Sequence, residues 1–400
     1  MDSKRVLLII PELAMGGAQR SISNLSRELS KNHSVWLLVF NRQHAIGYNH
    51  GGELISLDVV PRRGLLNKLL AFIRRVRRLK KIKRDLGIER SISFLEGADY
   101  INVLSKSGEK VVLSVRGSKE HDETIHGKYS WLRKKILIPW LYGSADLVVA
   151  VNNGIISELK SQYGLDQKKM SVIGNYYNIR EITELSNEPK NDIASKLYQD
   201  LVLITTGRFA PEKGLKNLVV VFKNLKVKYN NLRMVMVGDG PELNNLITTI
   251  SQLGLDVHLG LGFKSLPDIV VLQGEKNVFK YLRGATIYLM NSSSEGFPNG
   301  LAEAMICDVP VVTSDCPYGP REILEPDMSF DLELSKPHVS QNGVLMPVIK
   351  SEADIQLWTE TLTQLIENSN QRLELAKNAR QRIALFDKDL IISQWHKVIE

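Results

Sequence analysis

Short apolar runs alternate with amphipathic stretches along the chain, and this alternation predicts strands and helices. The run RVLLII, a Gly-Gly turn, the amphipathic stretch 18–31 and the run VWLLVF form a strand, helix, strand unit. The same order continues through SISFL, KVVLSV and DLVVAV and ends near SVIGN. This alternation of strands and helices predicts a parallel α/β sheet for the first half of the chain.

A second series of the same kind begins at LVLITTG, with predicted helices at 215–229 and 242–253. The predicted fold class is therefore α/β, with two doubly wound, Rossmann-like domains facing across a cleft, and C-terminal helices. Ligands of such sheets bind at the carboxyl ends of the strands. The predicted parts are an N-terminal domain 1–180, a polar linker 181–200, a C-terminal domain 201–375, and a helical tail 376–400 that packs back on the N-terminal domain.

Composition narrows the class of protein. The chain has 400 residues, of which 43% are hydrophobic and 24% charged, as expected for a soluble globular protein of two domains. No run approaches the roughly 18 apolar residues that cross a bilayer, and Pro11 and Glu12 interrupt the N-terminal apolar stretch before it could form a signal peptide. We therefore expect a cytoplasmic protein. Cys307 and Cys316 fit neither a disulfide framework nor a metal site, and we expect both to be reduced packing residues.

The stretch SSSEGFPNGLAEA is the most informative about chemistry. It follows the predicted strand TIYLMNS, and Pro298 begins a short helix that contains Glu303. The backbone N–H groups at the start of this helix belong to Asn299, Gly300 and Leu301. With the positive end of the helix dipole they form an anion site suited to a diphosphate. Glu295 and Glu303 only accept hydrogen bonds, so they suit hydroxyls of sugar and ribose; the alternative is an exposed helix start with two ordinary surface glutamates.

A second loop, in TTGRFAPEKGLKNL, places Arg208 and Lys213 after another predicted strand. Arg208 offers a planar fork to phosphate oxygens and Lys213 a mobile point charge. Fixed cations at a departing diphosphate stabilise the transition state more than the ground state, so no metal is required. The alternative is a helix start with two solvated bases, although cations at that end oppose the helix dipole.

GRFAPEKG, VMVGDGPE and the two glutamates separated by seven residues in EGFPNGLAE resemble the donor site of glycosyltransferase family 4, retaining enzymes of the GT-B fold. The resemblance covers nearly the whole chain. It implies that Arg208 and Lys213 hold the diphosphate, that Glu295 binds the transferred sugar as a third catalytic group, and that Glu303 binds the ribose. It also implies donor contacts from Gly16, Gly17, Gly238, Phe297, Pro298, Asn299, Gly300 and Leu301.

The chain departs from the family at one position. Many relatives carry a histidine just after the fourth strand of the N-terminal half, whereas here VVLSV runs into Arg116, and His121 follows later. Either Arg116 takes the polar role or His121 does, and Glu96 is a further candidate for contacting the acceptor or the sugar.

The sequence YGPREILEP resembles a loop of bacterial enzymes of polysaccharide and lipid-linked oligosaccharide assembly, although Arg321 and Glu322 could equally form a surface ion pair.

A strongly basic segment lies between Arg62 and Arg84, with eleven Lys or Arg residues and no acid, against a net charge of +8 for the whole chain. Its apolar positions have helical spacing and are expected to pack on the N-terminal sheet, with the cations, Lys83 among them, on the remaining faces. The candidates for binding an anionic membrane surface or an acceptor diphosphate are Arg74, Arg75, Arg77, Arg78 and Lys81. The alternative is a solvated surface helix. No recognised motif or aromatic platform supports nucleic-acid binding.

The expected function is sugar transfer from a nucleotide-diphosphate donor, UDP-linked, to a glycan acceptor on a polyprenyl diphosphate, without metal or cofactor, at the inner face of the plasma membrane. A nucleotide-sugar epimerase of the same architecture and a non-catalytic membrane-associated assembly protein are the alternatives. A dinucleotide-dependent oxidoreductase is disfavoured, because neither GGAQR nor GDGPEL completes the Gly-rich fingerprint with its acidic residue.

Overall fold

The computed structural model describes residues 2–14, 16–42, 47–120, 128–330 and 332–400. These residues form two compact units, and each is described by itself. The first comprises Met1–Tyr176 and Asp389–Glu400, and the second comprises Tyr177–Lys388.

The first unit is built on a parallel sheet. Within its described residues the strands are β1 (Arg5–Ile9), β2 (Ser34–Val39), β3 (Glu53–Ser56), β4 (Arg90–Phe94), β5 (Lys110–Val115), β6 (Leu147–Ala150) and β7 (Met170–Val172). Their order in the sheet is β3-β2-β1-β4-β5-β6-β7. Strand β1 is completely buried from Val6 to Ile9, as expected of a central strand in a sheet covered on both faces.

Helices connect these strands and cover the sheet. They are α1 (Gly17–Leu29), α2 (Leu65–Asp85), α3 (Glu96–Leu104), α4 (Lys128–Leu132), α5 (Ile138–Gly143) and α6 (Asn153–Tyr163), with a π-helical turn, Arg133–Leu137, joining α4 to α5. Helix α3 packs against both α2 and α5, so these three helices lie side by side in one layer. The helix predicted at 18–31 is confirmed as α1.

The second unit has a sheet of the same kind. Among the described residues its strands are β8 (Leu201–Thr206), β9 (Leu232–Val237), β10 (Val257–Leu259), β11 (Ile269–Leu272), β12 (Ile287–Met290), β13 (Val311–Ser314), β14 (His338–Val339) and β15 (Val344–Met346). The order is β10-β11-β9-β8-β12-β13-β15-β14, and neighbours are parallel except for the pair β14 and β15. Two successive doubly wound sheets confirm the predicted fold class.

The helices of the second unit surround this sheet. They are α7 (Ile179–Ser186), α8 (Asp192–Leu197), α9 (Leu215–Lys228), α10 (Leu243–Gln252), α11 (Phe279–Leu282), α12 (Asn299–Ile306), α13 (Gly319–Leu324), α14 (Glu352–Glu367) and α15 (Ser369–Ile383). Phe222 of α9 and Trp358 of α14 belong to one fully buried apolar cluster on the sheet. The helices predicted at 215–229 and 242–253 are confirmed as α9 and α10.

The segment 181–200, predicted as a linker, instead forms most of α7 and all of α8 in the second unit. Each helix is preceded by an N-cap asparagine whose side chain accepts a hydrogen bond from a backbone N–H of the first turn, Asn178 for α7 and Asn191 for α8. Ile182 and Leu197 are buried. Capping and a few apolar anchors therefore make helices of a segment whose overall polarity suggested a loop.

The C-terminal helix α16 (Lys388–Ile399) lies almost entirely in the first unit. Its Trp395 stacks on Phe94 with ring centroids 6.5 Å apart, and Arg90 donates a hydrogen bond to the terminal Glu400 carbonyl at 2.5 Å. The predicted boundary at 375/376 falls inside α15, so the tail that joins the first unit is shorter than the predicted 376–400.

Candidate functional site

The second unit gathers several polar loops at the carboxyl edge of its sheet. The chain leaves β8 towards β9 on one side and later returns to β12 on the other, so the topological switch point lies between β8 and β12. Arg208 and Lys213 follow β8, Glu295 follows β12, and α12 begins at Asn299. The residues predicted to bind a diphosphate and a sugar therefore surround the place where a doubly wound sheet binds its ligand.

Lys213 and Glu295 form an ion pair across this switch point. The Lys213 ammonium donates a hydrogen bond to Oε1 of Glu295, and the Ser292 hydroxyl donates to the same oxygen at 2.8 Å. The side chains of Lys213 and Glu295 are 25% and 14% exposed. Burial alone would lower the pKa of Lys213, but the charge and hydrogen bond of Glu295 raise that pKa above its ordinary value. Lys213 is therefore a fixed cation at neutral pH.

The turn that presents Lys213 is joined to the loop after β12. The Ser293 N–H donates to the Glu212 carbonyl at 2.8 Å. Gly214 has a left-handed φ of 58°, and a Cβ there would lie 2.5 Å from the Asn291 carbonyl oxygen. A side chain at Gly214 would force the two loops apart and separate the ion pair.

Arg208 lies where the loops after β8 and β9 approach each other. Phe209 anchors the first loop, because its ring is buried and its N–H donates to the Asp239 carbonyl at 2.8 Å. A Cβ at Gly238 would lie only 1.9 Å from the Gly207 carbonyl oxygen. The Arg208 side chain is exposed, and it enters no ion pair within the described part of the chain. Its guanidinium is therefore accessible to an anion at this edge.

The start of α12 rests on the end of β8 and on the Tyr288 side chain of β12. A Cβ at Gly300 would lie 2.6 Å from Thr206 Oγ1 and 2.5 Å from Tyr288 Oη, so only glycine fits here without displacement. Pro298, the N-cap residue, supplies no side-chain hydrogen bond to the first turn. The helix start is thus held close to the strand ends, where its dipole favours an anion.

Aromatic packing fixes the loop before α12. The ring of Phe297 lies 6.4 Å from that of Tyr177 and 5.0 Å from that of Phe386. The Tyr177 hydroxyl donates to Asn299 Oδ1 at 2.8 Å. Leu301 is buried in the core. Phe297 and Leu301 therefore support the loop through packing.

Glu303 is buried, with 4% of its surface exposed. It lies on α12, one turn after Asn299. Because it is buried there, Glu303 is not an ordinary surface residue. The alternative interpretation of two exposed glutamates at a helix start is wrong, because Glu295 is also largely covered by Lys213 and Ser292.

The switch point of the first unit lies between β1 and β4. Gly16 and Gly17 follow β1, and Gly17 is the first residue of α1. The Gly16 N–H donates to the Tyr48 hydroxyl at 3.3 Å. Glu96 follows β4 as the first residue of α3. The candidates of the first unit thus share one edge of its sheet.

Arg116 stands after β5 in a polar cluster of the first unit. Its guanidinium donates to Asn175 Oδ1 and, at 3.3 Å, to the Ser21 hydroxyl. It also lies over the Phe94 ring, 5.5 Å from the centroid. These contacts fix the orientation of Arg116. His121, the other candidate, lies outside the described residues.

Glu96 is engaged by cations of its own unit. Arg133 donates to both carboxylate oxygens at 2.7 Å, the Tyr100 hydroxyl donates at 2.5 Å, and the Lys119 ammonium lies 3.6 Å away. Burial would raise the pKa of Glu96, but these partners lower it. Glu96 therefore stays ionised and braces α3 against the π-helical turn, a position that sequence spacing did not predict.

A buried polar network lies beneath α2 and α3. Lys83 pairs with Glu109 at 2.6 Å with neither side chain exposed, and it donates to Asn102 Oδ1 at 2.7 Å. Burial lowers the pKa of Lys83 to about 8. Nearby, the Tyr142 hydroxyl donates to Asp99 at 2.7 Å. The expectation that Lys83 belongs to the exposed cations is wrong, because the end of α2 reaches the core.

The basic helix α2 differs from its prediction in two further respects. The apolar residues at its beginning do not pack on the sheet: Leu65, Leu69 and Ile73 are exposed. Two of the candidate cations are bound to the unit itself. Arg75 donates to the Val59 carbonyl at 2.7 Å, and Arg78 donates to the Leu57 carbonyl at 2.5 Å. The exposed candidates are Arg74, Arg77, Arg78 and Lys81, and of these only Arg78 is held by backbone carbonyls of the described residues.

Arg321 is not part of a surface ion pair. It is buried at the start of α13 and donates to Asp315 at 2.6 Å, and its remaining N–H groups donate to the Ser329 and Leu332 carbonyls. Arg321 therefore ties the loop after β13 to the segment that follows α13.

Sequence reasoning missed the residues that hold the site together. Thr206 ends the predicted strand LVLITTG, Tyr288 lies within TIYLMNS, and Ser292 follows it. Thr206 and Ser292 lie at the ends of strands that flank the switch point, which is the signal that could have identified them, whereas Tyr288 lies within its strand.

Within the described residues, no group of three or more His, Cys, Asp or Glu side chains could hold a metal ion. No helix in the same part of the chain is long and apolar enough to cross a bilayer. Cys307 and Cys316 are buried free thiols, as predicted.

Comparisons with known proteins agree with this fold. The model "Glycosyltransferase Family 4" matches residues 15–181, and "Glycosyl transferases group 1" matches residues 188–382. The N-acetylgalactosamine-N,N'-diacetylbacillosaminyl-diphospho-undecaprenol 4-alpha-N-acetylgalactosaminyltransferase of Campylobacter jejuni is 25% identical over 95% of each chain. The amylovoran biosynthesis glycosyltransferase AmsD of Erwinia amylovora is 23% identical over 99% of each chain.

A similar solved structure is HepE of Anabaena in complex with UDP and glucose. It superposes with a TM-score of 0.72 at 18% identity over 99% of each chain, which shows the fold. The two family models together span nearly all of the sequence. With this structural likeness, they show that the chain belongs to glycosyltransferase family 4 and has the GT-B fold.

Proposed function

We propose that the protein transfers a sugar from a UDP-sugar to a glycan acceptor on a polyprenyl diphosphate, with retention of anomeric configuration and without a metal ion. The observation that carries the proposal is the Lys213–Glu295 pair beside the start of α12, at the switch point of the second unit. The Lys213 ammonium suits the diphosphate of a nucleotide sugar, and the Glu295 carboxylate can accept hydrogen bonds from hydroxyls of its sugar.

The charges of this site suit the departure of a nucleoside diphosphate. As the bond between the anomeric carbon and the β-phosphate oxygen breaks, negative charge grows on that oxygen. Lys213 is already oriented by Glu295, so it can stabilise this charge with little reorganisation. Arg208 adds an accessible planar fork. Together they supply the positive charge that a divalent metal supplies in other transferases.

Glu295 has a positioning role in this proposal. Its carboxylate is oriented by Lys213 and Ser292, which leaves acceptor capacity for hydroxyls of the transferred sugar. The departing phosphate oxygen accepts the proton of the attacking acceptor hydroxyl on the same face of the sugar. This step forms the new glycosidic bond, releases UDP and retains the configuration, as the family resemblance implies. Glu303, buried on α12, binds the ribose.

The relatives support a lipid-linked glycan as the acceptor. The Campylobacter enzyme is named for an acceptor on diphospho-undecaprenol, and AmsD is named for the biosynthesis of a polysaccharide. The exposed cations Arg74, Arg77 and Lys81 on α2 suit an anionic membrane surface, at roughly 1 kcal/mol per basic residue near that surface. The proposed location is therefore the inner face of the plasma membrane.

Product analysis tests the proposal. The purified protein is incubated with a panel of UDP-sugars and a polyprenyl-diphosphate-linked glycan, and the products are analysed by mass spectrometry and NMR. We expect one UDP released for each sugar transferred and an α-linked product from an α-linked donor. A β-linked product would exclude retention. An epimerised nucleotide sugar with no transfer would establish the epimerase instead, and absence of both would favour a non-catalytic role.

A further inference from the structure

The outward face of α2 changes character along the helix. Near its beginning this face is apolar, with side chains between 37% and 76% exposed: Leu65, Leu66, Leu69, Leu70 and Ile73. At 3.6 residues per turn these five side chains fall in one sector of the helix. The buried residue Ala71 lies on the opposite side, and the buried Leu79, two turns further along, borders the sector. The first half of α2 thus presents an apolar surface, here called the α2 tip, to solvent.

The same sector becomes cationic further along the helix. Arg77, Lys80 and Arg84 continue it and are exposed, and Arg74 and Lys81 flank it. Arg75 and Arg78, in contrast, point back to the unit and bind its backbone carbonyls. Apolar and basic groups therefore follow one another along the outer edge of a single helix.

A second apolar surface lies on the segment from α4 to α5. Its large side chains are 39% to 64% exposed: Trp131, Leu132, Ile136 and Trp140. They share one side of the segment, because Arg133 and Leu141 are buried on the other. This surface, here called the tryptophan face, also exposes Lys135.

Both surfaces belong to the same layer of the first unit. Helix α2 joins β3 to β4, and α5 joins β5 to β6, so both connections run in the same direction across the sheet. Right-handed crossovers place such helices on one face of the sheet, and α3 packs between them. Both segments begin at the carboxyl edge of the strands, so the α2 tip and the first tryptophan lie towards the same edge.

We propose that the α2 tip and the tryptophan face insert together into the headgroup region of an anionic bilayer. The basic residues that follow the tip along α2 indicate an anionic bilayer as the partner, because they would contact anionic headgroups once the leucines are inserted. Tryptophan at the second surface is the side chain that membrane interfaces favour. From Leu66 to Ile73 the helix rises about 10 Å, so a tip that enters end-on reaches the roughly 5–10 Å depth of the headgroup and acyl boundary.

Insertion extends the electrostatic attachment proposed above, and it is measurable without any sugar transfer. Vesicles of phosphatidylcholine, with or without about 30% phosphatidylglycerol, are floated with the protein at low salt and at about 0.5 M salt. We expect binding to the anionic vesicles that persists in part at high salt, with a blue shift of tryptophan emission. The shift should disappear when Trp131 and Trp140 are both replaced by Phe.

The decisive variant is Leu66→Ser with Leu70→Ser, which should lower the vesicle partition coefficient about tenfold or more at both salt concentrations. The matched control, Val227→Ser with Leu373→Ser, changes two apolar residues of the second unit that are more exposed than Leu66 and Leu70 and should bind as the wild type does. Arg74→Gln with Arg77→Gln should weaken binding mainly at low salt.

Three results would overturn the proposal. They are wild-type binding by the Leu66 and Leu70 variant, complete release of the wild type at high salt without a spectral shift, and self-association through the tip in the absence of vesicle binding.

Transfer to an acceptor in detergent separates this proposal from the proposed function. The Leu66 and Leu70 variant should keep that activity, whereas failure of the proposed function would abolish transfer in every variant and leave vesicle binding intact.

Discussion

Replacing Lys213 by methionine removes the charge from the centre of the site and keeps most of the apolar stem. In the wild type the Lys213 ammonium donates to Glu295, whose carboxylate also accepts from Ser292 at 2.8 Å. The variant leaves Glu295 with the hydroxyl alone. It also removes the cation that, in the proposed mechanism, faces the β-phosphate.

The structure sets the size of the expected effect. Lys213 is three-quarters covered and Glu295 more so, so water screens the ammonium less than it would at a surface. A charge-assisted hydrogen bond contributes about 1.5–3 kcal/mol, and loss of a preorganised group facing developing charge lowers kcat about 100- to 1,000-fold. We therefore expect kcat/KM to fall at least about a hundredfold, which is about 2.7 kcal/mol of transition-state stabilisation.

UDP binding, measured by calorimetry, distinguishes a contact with the diphosphate from mere support of Glu295. UDP carries no transferred sugar, so Glu295→Gln should leave its affinity nearly unchanged, whereas Lys213→Met should weaken it about tenfold or more. Lys228→Met is the matched control, because Lys228 forms an exposed ion pair with Glu367 at the far end of α9. It should behave as the wild type in every assay.

Lys213 does not contact the diphosphate if the Lys213→Met variant, shown to be folded by circular dichroism, binds UDP as the wild type does or transfers sugar within threefold of the wild-type rate, a change of only about 0.65 kcal/mol. Equal loss of UDP affinity in Glu295→Gln would show that the two residues act on the diphosphate as a unit.

Three further predictions concern other parts of the chain. Glu303→Ala should lower kcat/KM at least about a hundredfold, whereas the exposed Glu360→Ala should not; equal activities would remove Glu303 from the donor site. EDTA should leave transfer unchanged, and restoration of a lost activity by Mg²⁺ or Mn²⁺ would contradict the metal-independent mechanism. Burial raises the pKa of Asp99 from 3.8 to about 7, so the folded state keeps a proton that the unfolded chain loses. The free energy of unfolding should therefore fall as pH rises from about 4 to about 7, and Asp99→Asn should flatten that slope in urea titrations; an unchanged slope would exclude Asp99 as its source.

Most interior strands of both units could be predicted, because an interior parallel strand is buried on both faces and appears as a continuous apolar run. RVLLI and LVLITT are such runs, and each forms an interior strand with neighbours on both sides. The short strands β3, β10, β14 and β15 were not predicted. The segment 181–200 could not be assigned in this way. Its helices depend on two asparagine caps and a few apolar anchors, which are weak signals within a polar stretch.

The motifs identified which loops carry the chemistry but not how the loops meet. Lys213 and Glu295 are 82 residues apart, and their pairing follows from β8 and β12 being neighbours in the sheet. The tight approach of Gly300 to Thr206 and Tyr288 has the same origin. Glu96 shows the converse, because this glutamate after a strand was a candidate ligand but is held by Arg133. The position of Arg133 at the start of a π-helical turn has no sequence signature.

Helix α2 shows why periodicity alone misjudged the basic segment. Its apolar spacing defines the faces of a helix, yet the length of the sheet beneath decides which turns are covered. With 21 residues α2 is about 32 Å long, whereas β4, with 5 residues, spans about 17 Å. The second half of the helix therefore lies over the sheet, where Leu79 and even Lys83 are buried, and the first half projects beyond it with its leucines uncovered. The same mismatch in length that made the packing prediction wrong produces the surface proposed to enter the membrane.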